Sequence, residues 1–213
     1  MFYRKSRMAW FAMAVALFMF LGACAPLEGN ESNDAGSGIP KLIGTKQYSS
    51  APPMAIDKNK KYYASVAMED GGEFVMELYP GKAPITVNSF VFLAKQGFFD
   101  GVTFHRVLDG FMAQTGDPTG TGGGGPGYQF VNEESDLEFD KAGVVAMANA
   151  GRDTNGSQFF ITFDEAKFLN GGYTIFGQVI SGMDTVNGIT RRDPQENPAF
   201  TGDVIKSITI TEQ

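Results

Sequence analysis

Between Tyr62 and Ile210 the apolar residues come in short pieces broken by turn formers, and this punctuation limits the possible folds more than any other feature of the chain. Residues Tyr62 to Met68 and Phe74 to Tyr79 alternate around Glu69-Asp70-Gly71-Gly72-Glu73, which reads as a β-hairpin. Further strand-length pieces are expected at Val102 to Leu108, Met112 to Thr115, Val144 to Ala148, Phe159 to Phe163, Tyr173 to Val179 and Val204 to Ile210. Only two stretches read as helical. Pro84 opens the first, with Val87, Phe90, Val91 and Ala94 on one stripe and Gly97 as its stop, and the second covers Met183 to Ile189. Many short strands, 27 glycines and two isolated helices make the chain all-β dominated, a barrel or sandwich with helical caps.

The chain begins differently. Arg4, Lys5 and Arg7 precede an uncharged run from Met8 to Phe20, a basic region and apolar core of signal-peptide length, short for a full membrane span. It ends in Leu21-Gly22-Ala23-Cys24, which resembles the lipobox of bacterial lipoproteins, where the cysteine is acylated and becomes the mature N-terminus. The competing reading is a thiol in an uncleaved membrane helix. Residues 1–23 are therefore expected to be a signal peptide and Cys24, the only cysteine, the lipidation site. A mature chain starting there has no thiol left to oxidise, so its core alone must hold the fold. It also loses three positive charges and no acidic residue, which takes the formal net charge from −7 to −10. So acidic a domain excludes nucleic acid as a natural partner, and membrane attachment would come from acyl chains rather than from basic side chains.

Residues 24–55 are rich in Gly, Ser, Asn and Pro with no helical or strand period, and read as a flexible tether. About thirty residues of such coil reach on the order of 30 Å. Residues 56–213 remain, which suits one domain with one core.

Two segments carry the chemistry. The first is Phe104-His105-Arg106-Val107-Leu108-Asp109-Gly110-Phe111-Met112-Ala113-Gln114; the second joins Met147-Ala148-Asn149-Ala150-Gly151 to Asn155-Gly156-Ser157-Gln158-Phe159-Phe160-Ile161. Together they resemble the active-site halves of the cyclophilin family of peptidyl-prolyl cis-trans isomerases, over roughly residues 62–211. The resemblance implies a closed eight-stranded antiparallel β-barrel capped by two α-helices. It also implies rotation of X-Pro bonds in unfolded or partly folded polypeptides, with no cofactor and no metal.

By that resemblance Arg106, Phe111 and Gln114 are the catalytic residues. Arg106 is the donor candidate, because a guanidinium stays charged and presents a fixed fork of N–H groups. Phe111, Met112, Phe160 and Leu169 would form the proline pocket. Ala148, Asn149 and Gln158 match positions that line or hydrogen-bond the bound peptide. His105, the only histidine, matches a position beside the groove with a supporting part, since a lone histidine assembles neither a zinc site nor a triad. Phe168 stands where the best-known eukaryotic members carry tryptophan, and Tyr173 where they carry histidine. Phe168 lacks the indole N–H that cyclosporin uses in the family, so weak cyclosporin binding is expected. Tyr173 is assigned a groove-lining role.

Two patterns are set aside. Gly120-Thr121-Gly122-Gly123-Gly124-Gly125 satisfies G-x-G-x-x-G, but Pro126 and Gly127 follow where a dinucleotide site needs a helix. Asn155-Gly156-Ser157 spells a glycosylation acceptor and reads better as groove loop. The expectation is a monomeric isomerase, lipid-anchored outside the cytoplasm to the bacterial cell membrane or to an outer membrane, that assists folding of exported proteins. The alternatives are a non-catalytic module or scaffold that captures proline segments in the same groove, and a surface lipoprotein aimed at another envelope component.

Overall fold

The hairpin forms because Tyr62, Ala64, Val66 and Met68 face one side and all are buried, while Gly71 takes the positive φ that the turn requires. The structure is a computed structural model that describes residues 42–44 and 46–213. The expected signal segment 1–23, the lipidation site Cys24 and tether residues 25–41 lie outside the described residues.

In chain order the strands are β1 (Leu42–Gly44), β2 (Gln47–Tyr48), β3 (Tyr62–Met68), β4 (Glu73–Leu78), β5 (Arg106–Leu108), β6 (Met112–Thr115), β7 (Val144–Met147), β8 (Phe159–Thr162), β9 (Ile175–Ser181) and β10 (Ile205–Glu212). Helix α1 (Pro84–Lys95) lies between β4 and β5, and the short α2 (Met183–Gly188) between β9 and β10. Eight strands form one antiparallel sheet in the order β10-β3-β4-β9-β7-β8-β6-β5. The sheet curls until the chain entering β5 meets the chain entering β10. Gly101 N–H donates to Ile205 O at 2.8 Å, Phe104 N–H to Asp203 O at 2.8 Å and Ile205 N–H to Val102 O at 2.9 Å. This seam leaves neither end of the sheet as a bare edge along those residues.

The inner face is aromatic. Phe90 of α1 meets Phe99, Phe159 and Phe176 with ring centroids 5.2, 5.5 and 5.3 Å away. Its stripe partners Val87, Val91 and Ala94 are buried beside it, so α1 closes one end of the barrel. Ala83 offers α1 no side-chain cap. Glu133, from the long loop before β7, supplies one, accepting from Ile85 N–H at 2.9 Å and from Thr86 N–H and Oγ1–H at 2.8 Å each.

The composition-based boundary at residue 55 falls later than the packing boundary. Tyr48 is buried with its ring edge-on to Phe92 at 5.0 Å, and Ala55 N–H donates to Asn88 Oδ1 at 2.8 Å. A Gly/Pro/Ser-rich segment of low hydropathy is thus held by one aromatic anchor and by backbone hydrogen bonds, neither of which a composition average registers.

Candidate active site

Strand register lays out the site. Arg106 on β5 pairs with Gln114 on β6, Gln114 with Phe160 on β8, and Phe160 with Ala146 on β7. These residues form one row across the outer face. The adjacent row, Val107, Ala113, Ile161 and Val145, points into the barrel core, because successive strand side chains alternate.

On the outer face Met112, Phe139, Val144, Ala146, Phe160, Leu169 and Ile175 make a second apolar cluster. Over it opens a cavity of about 140 Å³ lined by Arg106, Phe111, Met112, Gln114, Ala148, Asn149, Phe160, Leu169 and Tyr173. Phe160 is the floor, stacked on Phe139 at 5.8 Å and met edge-on by Tyr173 at 5.5 Å. Phe111 is one wall. Phe168 does not line the cavity; it stands 76 % exposed outside, with its ring 5.5 Å from that of Phe111.

Arg106 is half-buried at the polar rim. Its Nη1 lies 3.4 Å from Gln114 Oε1 and 3.9 Å from Met112 Sδ. Gln114 Nε2 donates to Gln158 Oε1 at 2.9 Å, and Gln158 Nε2 donates to the carbonyls of Gly122 and Gly124, each at 2.9 Å. This relay of amides ties the guanidinium to the glycine-rich loop and holds its fork over an apolar pocket. The geometry suits a ligand that is apolar on one side and carries an acceptor on the other, as a prolyl amide does.

Asp117, 1 % exposed, organises the loop. Its carboxylate accepts from Thr119 N–H at 2.7 Å, Thr121 N–H at 3.1 Å, Gly122 N–H at 2.6 Å and Gly124 N–H at 3.1 Å. Burial alone would raise its pKa, but the hydrogen bonds from Thr119, Gly124 and Gly122 together outweigh it and hold the carboxyl below its usual range. The Gly120–Gly125 run is thus an anion-centred loop inside the protein. Sequence reasoning missed Asp117, although Asp-x-Thr is the pattern of a side chain accepting from the backbone two residues on.

His105 does not line the cavity. It is 2 % exposed just before β5, where a Cβ built on Gly122 of the glycine-rich loop would stand 3.8 Å from its ring, and neither ring nitrogen has a hydrogen-bond partner among the described residues. Burial lowers its pKa, so the ring stays neutral. Asn155 is buried as well, donating to Val131 O and Asn132 Oδ1 at 3.0 Å each.

A barrel with a prolyl-sized pocket under a tethered arginine defines a class of peptide-handling protein, and comparison with known proteins gives that class its name. Residues 63–212 match the family model described as cyclophilin type peptidyl-prolyl cis-trans isomerase/CLD, and the chain belongs to that family. It is 45% identical over 144 residues to peptidyl-prolyl cis-trans isomerase B of Bacillus subtilis (strain 168), covering 67% of this chain and 94% of the relative. Human peptidyl-prolyl cis-trans isomerase-like 1 is 47% identical over 142 residues, covering 64% and 86%. A crystal structure of a Cryptosporidium parvum cyclophilin type peptidyl-prolyl cis-trans isomerase superposes with a TM-score of 0.66 at 34% identity, covering 72% of this chain and 99% of that one. A second structure of that protein, in the presence of the dipeptide Ala-Pro, gives a TM-score of 0.64 at 34% identity, covering 71% and 99%.

Proposed function

We propose that this isomerase turns X-Pro bonds of exported polypeptides outside the cytoplasm, while acyl chains on Cys24 hold it at a membrane. The observation that carries the reading is the Arg106 guanidinium, fixed by Gln114 at the rim of a pocket floored by Phe160. Rotation about the bond breaks amide resonance against a barrier of about 18–20 kcal/mol, and no covalent bond forms or breaks. Phe111, Met112, Phe160 and Leu169 take the proline ring and remove water from an amide whose charge separation fades as it twists. The Arg106 N–H groups then meet the lone pair that appears on nitrogen. Each ~1.36 kcal/mol by which the twisted state gains over the planar one is worth tenfold in rate.

Exported chains suit the reading because proline exchange takes tens to hundreds of seconds unaided, long enough to limit their folding. Cys24 in its lipobox supports the anchor, since two or three acyl chains hold firmly where one is marginal. Phe168 supports weak cyclosporin binding, and nanomolar affinity by calorimetry would overturn that part. The domain acts as a monomer.

NMR exchange spectroscopy on an Ala-Pro peptide with catalytic amounts of the full chain in detergent tests the activity. Acceleration that collapses in Arg106→Ala is expected. A peptide that binds without acceleration would instead leave a capture module. For the anchor, labelled palmitate should enter the wild-type protein in bacterial cells and not Cys24→Ser.

A further inference from the structure

A larger cavity of about 640 Å³ adjoins the proline pocket, sharing Gln114, Ala148 and Asn149 with it. Its far wall is the glycine-rich loop, and Gln47 completes it. Gln47 lies before residue 63, where the match to the family begins.

The segment bearing Gln47 is strapped down at several points. Tyr48 N–H donates to Pro126 O at 2.7 Å, and the Lys46 ammonium donates to the Asp100 carbonyl. Asn88, buried in α1, accepts from Ala55 N–H at 2.8 Å and donates to Pro53 O at 3.0 Å, so its amide is satisfied by strap backbone. The loop is fitted to the strap in return. Gly127 has φ +91°, and a Cβ there would stand 2.5 Å from Tyr48 O, so loop and strap approach as closely as backbones can.

Among the described residues the cavity walls carry no charged side chain. The amides of Gln114 and Gln158 are committed to each other and to the loop, and Asn149 Nδ2 donates to Gly172 O. Gln47 and Gln129 bring the remaining side-chain amides. A charged side chain entering there would lose water without gaining a counter-charge, whereas a neutral amide or hydroxyl would find partners.

We propose that the strap is a working part of the substrate groove, and that Gln47 makes the groove select polypeptides carrying an uncharged, hydrogen-bonding side chain close to the proline. This rests on the isomerase reading above and deepens it. The strap ties the segment leading from the expected anchor to substrate choice, so the part of the chain outside the family match has its own say in which proline is turned.

The test is exchange spectroscopy with the full chain in detergent on Ala-Pro peptides whose residue two before or two after proline is Ala, Gln, Asp or Lys. At one of the two positions Gln should exceed Asp and Lys in kcat/KM by about tenfold, the size of one neutral hydrogen bond. In Gln47→Ala that preference should shrink, and in Gln47→Glu it should swing toward Lys. Gln47 is exposed, so both variants keep the fold. Identical peptide profiles in wild type and both variants would overturn the proposal while leaving the isomerase intact. No acceleration of any peptide would sink the isomerase reading itself, and this one with it.

Discussion

Phe159 and Phe160 stand side by side in β8, both buried, and they serve different parts of the protein. Phe159 enters the barrel, where it meets Phe90, Phe99 and Phe176. Phe160 faces outward, stacked on Phe139, and floors the cavity under Arg106. The inner cluster is closed on all sides by side chains, whereas the outer one has a vacancy shaped for a small ring. The difference teaches that neighbours in one strand can divide their labour: Phe159 stabilises the barrel and Phe160 floors the cavity.

The sharpest way to break that division is Phe159→Ala. It should cost about 3–5 kcal/mol in urea unfolding, because the aromatic neighbours cannot collapse into the gap, while the folded fraction keeps its rate. A rate loss without a stability loss would end the comparison. Arg106→Ala is the converse: a fall of about 100-fold in the catalysed exchange rate, the scale seen when one transition-state donor is removed, with stability changed by less than about 1 kcal/mol. Gln114→Ala should cost about tenfold in rate, since Arg106 loses the acceptor that aims it.

The smallest effect concerns His105, which is buried next to Arg106 in the chain. Its folded pKa is depressed by burial, so below its ordinary value the unfolded chain takes up a proton that the folded protein refuses. Stability is fully present above pH ~6.5 and falls below it, by up to about 1.4 kcal/mol per pH unit. No other histidine contributes. Unfolding free energies between about pH 6.5 and 5.5 should therefore flatten in His105→Phe, and an unchanged slope would show that the ring charges in place.

Most strands were legible from sequence: β3 and β6 have the expected ends, and β4, β7, β8 and β10 shift by a few residues at most. Two deviations have physical causes. The segment from Val102 looks like a strand, but only Arg106–Leu108 joins the ladder, because residues 101–104 turn aside to make the seam. Tyr173 looks like the start of a strand, but β9 begins at Ile175 and leaves the tyrosine ring free to flank Phe160. Arg106, Phe111, Met112, Gln114, Ala148, Asn149 and Phe160 of the paired segments, with Leu169 and Tyr173 from outside them, line one cavity. What stayed hidden was held by distant partners. Asp117 acts by collecting amides from the loop that follows it, Glu133 by capping a helix 47 residues back, and Gln47 by reaching a loop near residue 127. Such positions have no period of their own to read.

The seam also puts the protein's own assembly on a clock. As the chain is synthesised N-terminus first, the β3–β4 hairpin can form early, yet α1 stays without its cap until Glu133 emerges, and β3 stays without β10 until residues 205–212 arrive. Contacts this far apart in sequence set folding times of about milliseconds to seconds in small β domains. A protein that shortens the slow isomerisations of other chains is thus itself complete only when nearly its whole length is in hand.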